Sequence, residues 1–369
     1  MRTTLSALTF ALISAASLPG AAYIQTNLTS DIPGMASHTD PNLANPWGIV
    51  AGPTTPFWIN NNHTGVSAIY NGSGTPLPLV VSIPAPGGGP GAPTGIVFNG
   101  SSGFGGSHFI FDTEDGTLAS WSGGASAVIQ ATSPSGSVYK GLAMGSTASG
   151  DMLYAANFGA GRVDVFDSNF TPVTLAPGAF TDSTLPAGFA PFNVQNINGN
   201  LYVTYAKQDP AHEDDVPGPG NGFVDVFDTS GNLIRHFASQ GALNSPWGLV
   251  LAPSKFGPFG GDLLVGNFGD GMINAYDPTT GAFLGSLDDP HGAPISVAGL
   301  WGLSFGNGSF GQDVNKLYFT AGIPGPNGAV EDHGLFGSFT ATPEPGSLAL
   351  LGTASLFATA LGIRRRKIR

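Results

Sequence analysis

An internal repeat restricts the fold of this chain more than any other feature. Asn45-Pro46-Trp47-Gly48-Ile49 returns as Ser245-Pro246-Trp247-Gly248-Leu249, with looser copies at Pro93-Thr94-Gly95-Ile96, Lys140-Gly141-Leu142-Ala143, Ala190-Pro191-Phe192-Asn193 and Leu300-Trp301-Gly302-Leu303. A hairpin pattern follows each lead. Leu153 to Asp167 matches Leu263 to Asp277, the third strand returns as Gly222-Phe223-Val224-Asp225-Val226-Phe227-Asp228, and weaker versions run from Phe57 to Tyr70, Phe109 to Trp121 and Leu317 to Phe339. Apolar and polar residues alternate with a period of two around a Gly-containing turn, as in paired short strands. The leads fall near Trp47, Thr94, Lys140, Phe192, Trp247 and Trp301, about 46–55 residues apart. Units of that length with several strands each are β-propeller blades. The expected fold is all-β, a six-bladed β-propeller over residues 23–340; a parallel β-helix would want shorter rungs.

A ring of blades leaves two open edges unless a strand from the other end of the chain completes the last blade. Tyr23-Ile24-Gln25-Thr26-Asn27-Leu28 alternates suitably and is expected to pair with the blade ending near Phe339. The Pro- and Gly-rich stretches Pro84 to Pro93 and Pro210 to Asn221 read as loops, the second inserted between two strands of the fourth blade. With no Cys, the fold has no disulfide and no thiolate chemistry, and must stand on its core.

Both ends carry addresses. Met1 to Ala22 opens with Arg2, continues through an apolar run from Leu5 to Leu18 and closes on Pro19-Gly20-Ala21-Ala22, the layout of a secretory signal peptide (residues 1–22). At the other end (residues 341–369), Pro343-Glu344-Pro345 precedes an apolar run from Ser347 to Ile363. Arg364, Arg365, Arg366 and Lys367 follow. The run is just long enough to cross a bilayer as a transmembrane helix, and the basic cluster would stay cytoplasmic.

This tripartite tail resembles the PEP-CTERM sorting signal. The resemblance implies recognition and tail removal by an exosortase, a membrane protease of Gram-negative bacteria that make exopolysaccharide. Such a protein would be held in the inner membrane only transiently, then reach the cell surface or the extracellular matrix. The Val-Asp-Val-Phe-Asp endings resemble NHL-type repeats, and the whole chain is similar to a family of PEP-CTERM proteins with such a propeller. That likeness implies blade geometry and no particular activity.

Charge narrows the partners. Six of the 12 Lys and Arg residues and one of the 24 acidic residues, Glu344, lie in the terminal segments, so the body holds six basic residues against 23 acidic ones, a charge of −17. Duplex nucleic acid is excluded, since phosphate binding needs clustered Lys and Arg; cations and neutral sugars are easier ligands. The turns after each blade's second strand should share one face near the channel, bringing together Asn60 to His63, Asp112 to Asp115, Asn157, Gln208 to Asp215 and Asn267. Asn62, Asp112, Asn157 and Asn267 are therefore candidate ligands for calcium, which takes oxygen donors, although Asn before Gly equally serves to cap a turn. His212-Glu213-Asp214-Asp215 is the densest charged cluster. The other histidines, His236 among them, lack metal-ligand spacing, and no nucleophile elbow or phosphate loop occurs. Trp47, Trp247 and Trp301 recur at matching positions and suit core packing before sugar stacking. These features favour a non-catalytic binding or scaffolding propeller over a calcium-dependent hydrolase or lyase of lactones, esters or glycans.

Overall fold

In the computed structural model, residues 22–342 are described. All but the last residue of the expected signal peptide (residues 1–22), the Pro343-Glu344-Pro345 motif, the expected transmembrane run Ser347 to Ile363 and the basic cluster at 364–367 lie outside them. Among the described residues six sheets follow one another along the chain, antiparallel except where His38–Thr39 pairs in parallel with Tyr23–Ser30. Blade 1 comprises Pro46–Val50, Phe57–Asn61, Val66–Tyr70 and Pro76–Ser82, innermost strand first, and blade 2 Pro93–Phe98, Phe109–Thr113, Thr117–Trp121 and Val128–Thr132. Blade 3 holds only Tyr139–Thr147, Gly150–Asn157 and Arg162–Asp167. Blade 4 comprises Phe189–Ile197, Asn200–Lys207, Phe223–Phe227 and Leu233–Ser239; blade 5, Pro246–Leu251, Leu263–Asn267, Ile273–Tyr276 and Phe283–Ser286. Blade 6 runs Leu300–Phe305, Leu317–Ala321 and Leu335–Ala341, and its next strand is Tyr23–Ser30 from the start of the chain. That strand lies antiparallel to Leu335–Ala341, from Tyr23 opposite Ala341 to Ser30 opposite Leu335, which closes the ring. Among the described residues no helix is long and apolar enough to cross a membrane.

The recurring Gly of each lead has a steric cause. In every blade the innermost strand carries a bulge at the lead, between Pro46 and Ile49 in blade 1 and between Leu300 and Leu303 in blade 6, for example. The bulge presses the backbone against the neighbouring blade's innermost strand. A Cβ at Gly302 would lie 2.6 Å from the Trp47 carbonyl oxygen, and one at Gly248 2.6 Å from that of Trp301. Gly48, Gly95 and Gly141 meet Thr94, Leu142 and Asn193 of the next blade in the same way. Only blade 4 departs from the pattern, and there Asn193 donates Nδ2 to the Trp247 carbonyl 2.7 Å away. At the other five leads a Cβ would clash with the neighbouring blade, so glycine is required there.

The second recurring residue, the Asp after the third strand, is a turn clamp. Asp167 accepts the backbone N–H groups of Asn169 and Thr171, Asp228 those of Ser230 and Asn232, and Asp277 those of Thr279 and Thr280. These bonds hold the three exposed carboxylates below their usual pKa range. Between the blades the inward faces interdigitate, as where Tyr23, Phe256, Leu264, Leu317 and Phe319 are all buried in one cluster of blades 5 and 6.

Candidate functional site

The six residues within the bulge, Trp47, Thr94, Lys140, Phe192, Trp247 and Trp301, stand at equivalent places around the axis. Trp47 stacks on Trp301 with centroids 3.5 Å apart, Trp247 meets both edge-on, and Phe268 stacks on Trp301 at 4.1 Å. With Phe158 and Phe192 these rings form a buried plug across the axis. They are core, as their repetition suggested, and offer no open face to a sugar. On one side of the plug the channel is a cavity of about 370 Å³, lined by Ile49, Val97, Met144, Val250 and other small apolar residues, with Asn193, Gln195 and Asn196 as its amides.

On the other side, where the second-to-third-strand turns gather, lies a charged centre. Lys140 occupies the place that Trp takes in three other blades and is 2% exposed. Its ammonium lies 5.1 Å over the Trp47 ring. It pairs with Glu114 from the blade 2 turn and, at 3.5 Å, with Asp214 from the blade 4 loop. Glu331, from the blade 6 loop, accepts Nδ2 of Asn45 at 3.0 Å, and Asn62 of the blade 1 turn donates to Glu114 at 2.8 Å. Three alternate blades therefore deliver a carboxylate each around one buried cation.

The electrostatics follow from that ratio. Burial opposes the charge on Lys140, but Glu114, supported by Asp214 and Glu331, outweighs it and holds the ammonium above its ordinary pKa. Burial pushes Glu331 up to about 7, against the Asn45 hydrogen bond and with repulsion from Glu114. Burial likewise raises Asp215 to about 6. Its Oδ2 has no hydrogen-bond partner, nor has the buried Trp47 Nε1.

Of the four residues singled out as calcium ligands, Asn62 joins this centre through Glu114. Asp112 is buried between blades 2 and 3, where its Oδ1 accepts the Thr94 hydroxyl at 2.9 Å and the Gly95 N–H at 2.6 Å. Asn157 donates to Ser137 and Asp164 and accepts Ala160 N–H. Asn267 donates to the Ala242 carbonyl and to Asp270. Asp112, Asn157 and Asn267 each bond within their own turn or blade joint, the buried Asp112 Oδ2 and Asn267 Oδ1 have no hydrogen-bond partner, and among the described residues no hydrogen bond links any two of the four. His212 and Glu213 are exposed at the tip of the loop that contributes Asp214. Lys140, Glu331 and Asn45 were not singled out from sequence as site residues. The available signal was an ionisable residue in a slot otherwise filled by Trp, Phe or Thr.

Comparison with known proteins places the chain. It is 32% identical over 318 residues to Uncharacterized protein R648 of Acanthamoeba polyphaga mimivirus, a match spanning 82% of this chain and 76% of that protein. The chain belongs to the same family. Another member, Uncharacterized protein L690 of the same virus, is 34% identical over 304 residues, covering 78% of this chain and 79% of its own. Residues 341–367 match the PEP-CTERM protein-sorting motif, which indicates export and sorting to the cell surface and implies exosortase processing. Among solved structures, a streptogramin B lyase superposes with a TM-score of 0.52 at 10% identity, covering 87% of this chain and 98% of its own. At that identity the likeness is one of fold.

Proposed function

We propose that the propeller is a non-catalytic binding or scaffolding domain of an exported surface protein, and that it holds a neutral polysaccharide at the carboxylates around Lys140. The observation carrying this reading is the convergence of Glu114, Asp214 and Glu331 on the axis over a sealed aromatic plug. Such a centre presents acceptors to sugar hydroxyls, and the body charge of −17 repels uronates and phosphates. The host's own exopolysaccharide is the natural candidate.

Titration calorimetry of the exported chain against neutral oligosaccharides tests this. Asp214→Asn and Glu331→Gln should each weaken binding about tenfold or more, the loss of one charge-assisted hydrogen bond. Polyuronates binding as tightly as neutral sugars, or affinities untouched in both variants, would sink the proposal.

A calcium-dependent hydrolase or lyase remains the second reading, favoured by Glu331, whose pKa of about 7 suits proton transfer at neutral pH. Against it, the Lys140 ammonium already occupies the position between the carboxylates that a cation would take. Calcium-dependent turnover of an oligosaccharide, lost in Glu331→Gln, would reverse the order of the two.

The address has its own test. The N-terminal segment directs export, the apolar run Ser347 to Ile363 with its basic cluster holds the precursor in the inner membrane, and exosortase removes that tail. Replacing Pro343 and Glu344 with Ala should leave the precursor uncut and membrane-bound, as read from the mass of the mature C-terminus. Normal processing of that variant would refute the sorting role of the motif.

A further inference from the structure

Blade 3 lacks a fourth strand. After Asp167 the chain pairs only briefly with the third strand, by a bridge of Pro172 to Phe166 and a bond from Val173 N–H to the Val165 carbonyl at 2.8 Å, and then crosses to blade 4, where Phe180 packs between Tyr154 and Phe227, with centroids 5.7 and 5.4 Å away, and donates its N–H to the Gly231 carbonyl at 2.8 Å. Two residues on, Asp182 reaches a pair of cross-strand partners, Asp225 on the third strand of blade 4 and His236 on the fourth. Nδ1 of His236 lies 2.9 Å from Oδ2 of Asp182 and 3.2 Å from Oδ1 of Asp225. One ligand atom from each of the three falls within 4.8 Å of the other two.

Two features separate this cluster from an ordinary surface ion pair. Asp225 is 2% exposed, and its Oδ2 has no hydrogen-bond partner. Tyr205 is 3% exposed, and its hydroxyl is also unpartnered. Tyr205 is a diagonal cross-strand neighbour of Asp225, and after burial itself the charges of Asp225 and Asp182 contribute most to holding its hydroxyl protonated. Two buried carboxylates, an unsatisfied carboxylate oxygen and an unsatisfied hydroxyl converge on one point, and the half-exposed His236 ring stands at its mouth. Buried polar atoms in such numbers are normally paired. A bound cation would satisfy the carboxylates together.

We infer that Asp182, Asp225 and His236 form a binding site for a divalent transition-metal ion of the zinc class, stapling the segment that replaces the fourth strand of blade 3 onto blade 4. The chemistry of the donors selects the ion. One imidazole nitrogen with two carboxylates suits zinc or its neighbours in tetrahedral geometry, with a fourth position left for water. Calcium would want six to eight oxygens and no nitrogen.

The test uses the full chain, stripped with a chelator, dialysed and titrated with zinc, then separately with cobalt(II) for its visible spectrum. The expected result is one equivalent bound per chain, a tetrahedral cobalt spectrum and a melting temperature raised by several degrees. His236→Ala removes a half-exposed ring and should fold as the parent does, yet lose affinity at least tenfold. Asp182→Asn should do the same, which covers the case in which Asp225→Asn fails to fold. Absence of stoichiometric uptake by the parent chain, uptake unchanged in both variants, or calcium bound in preference to zinc would each overturn the assignment.

Discussion

A chain lacking Tyr23–Ser30 should lose the whole propeller, not one blade. That strand supplies every pairing partner of the outer edge of Leu335–Ala341. It also ties blade 6 to both its neighbours. The Tyr23 hydroxyl donates to the Phe256 carbonyl in blade 5, and the Thr29 hydroxyl to the Gly74 carbonyl in blade 1. Tyr23 and Leu28 are buried, and each would return about 1.5–3 kcal/mol of apolar burial to water. The lost ladder and tethers add about 1 kcal/mol for each net hydrogen bond. A domain's entire stability is about 5–15 kcal/mol, so the deletion consumes most of it. Calorimetry should show the transition abolished or lowered by roughly 10 °C or more. A truncated chain that melts cooperatively at the parent temperature would show that the ring needs no such closure.

The second large effect is on pH. Asp112 is wholly buried, and burial pushes it up to about 7, against hydrogen bonds from Thr94 and Gly95, with Glu114 adding repulsion. Glu331, at about 7, and Asp215, at about 6, are raised for the same first reason. Asp225, at about 6, joins them in metal-free protein. A raised pKa means that the folded state holds its proton more tightly than the unfolded chain. The resulting stability is complete below about pH 4 and is lost as pH rises through 6 to 7. The turn-clamping aspartates are lowered instead and act only below about pH 4, so they do not offset the trend above it. The domain should therefore melt higher at pH 5 than at pH 8, with Asp112 alone contributing about 3 kcal/mol between those two pH values. Blade 1 supplies the control, because Asn60 fills the equivalent position and donates to the Thr94 and Gly95 carbonyls. Asp112→Asn should accordingly raise the melting temperature at pH 8 and flatten the profile. A profile that is flat in the parent, or unchanged in the variant, would contradict this account.

The blade count was legible because the repeat has a local cause. A Gly is needed wherever one innermost strand presses on the next, and an Asp wherever a third strand turns, so both recur in sequence. The closing strand was legible from its alternation and from the open edge that a ring implies. The charged centre was half legible: the turns bearing Asn62, Glu114 and Asp214 could be assigned to one face, but Lys140 and Glu331 could not. Lys140 is conspicuous only once the leads are superposed in space, and Glu331 sits in the long second-to-third-strand loop of blade 6, whose length hides its correspondence with the short turn bearing Glu114. The Asp182, Asp225 and His236 cluster was illegible for a plainer reason. Its members are far apart in the chain, and they meet because blade 3 omits a strand, which no local spacing records.

The pairing of Tyr23–Ser30 with Leu335–Ala341 has a consequence for the order of events during export. The first strand to emerge has no partner until the last blade arrives, so the ring cannot shut during synthesis and an interrupted chain never shuts at all. Thr342, the residue that hydrogen-bonds to Ala22 at the seam, leads directly into Pro343-Glu344-Pro345. Completion of the ring and presentation of the address therefore depend on the same few residues, and an unfinished propeller lacks the means to be sorted.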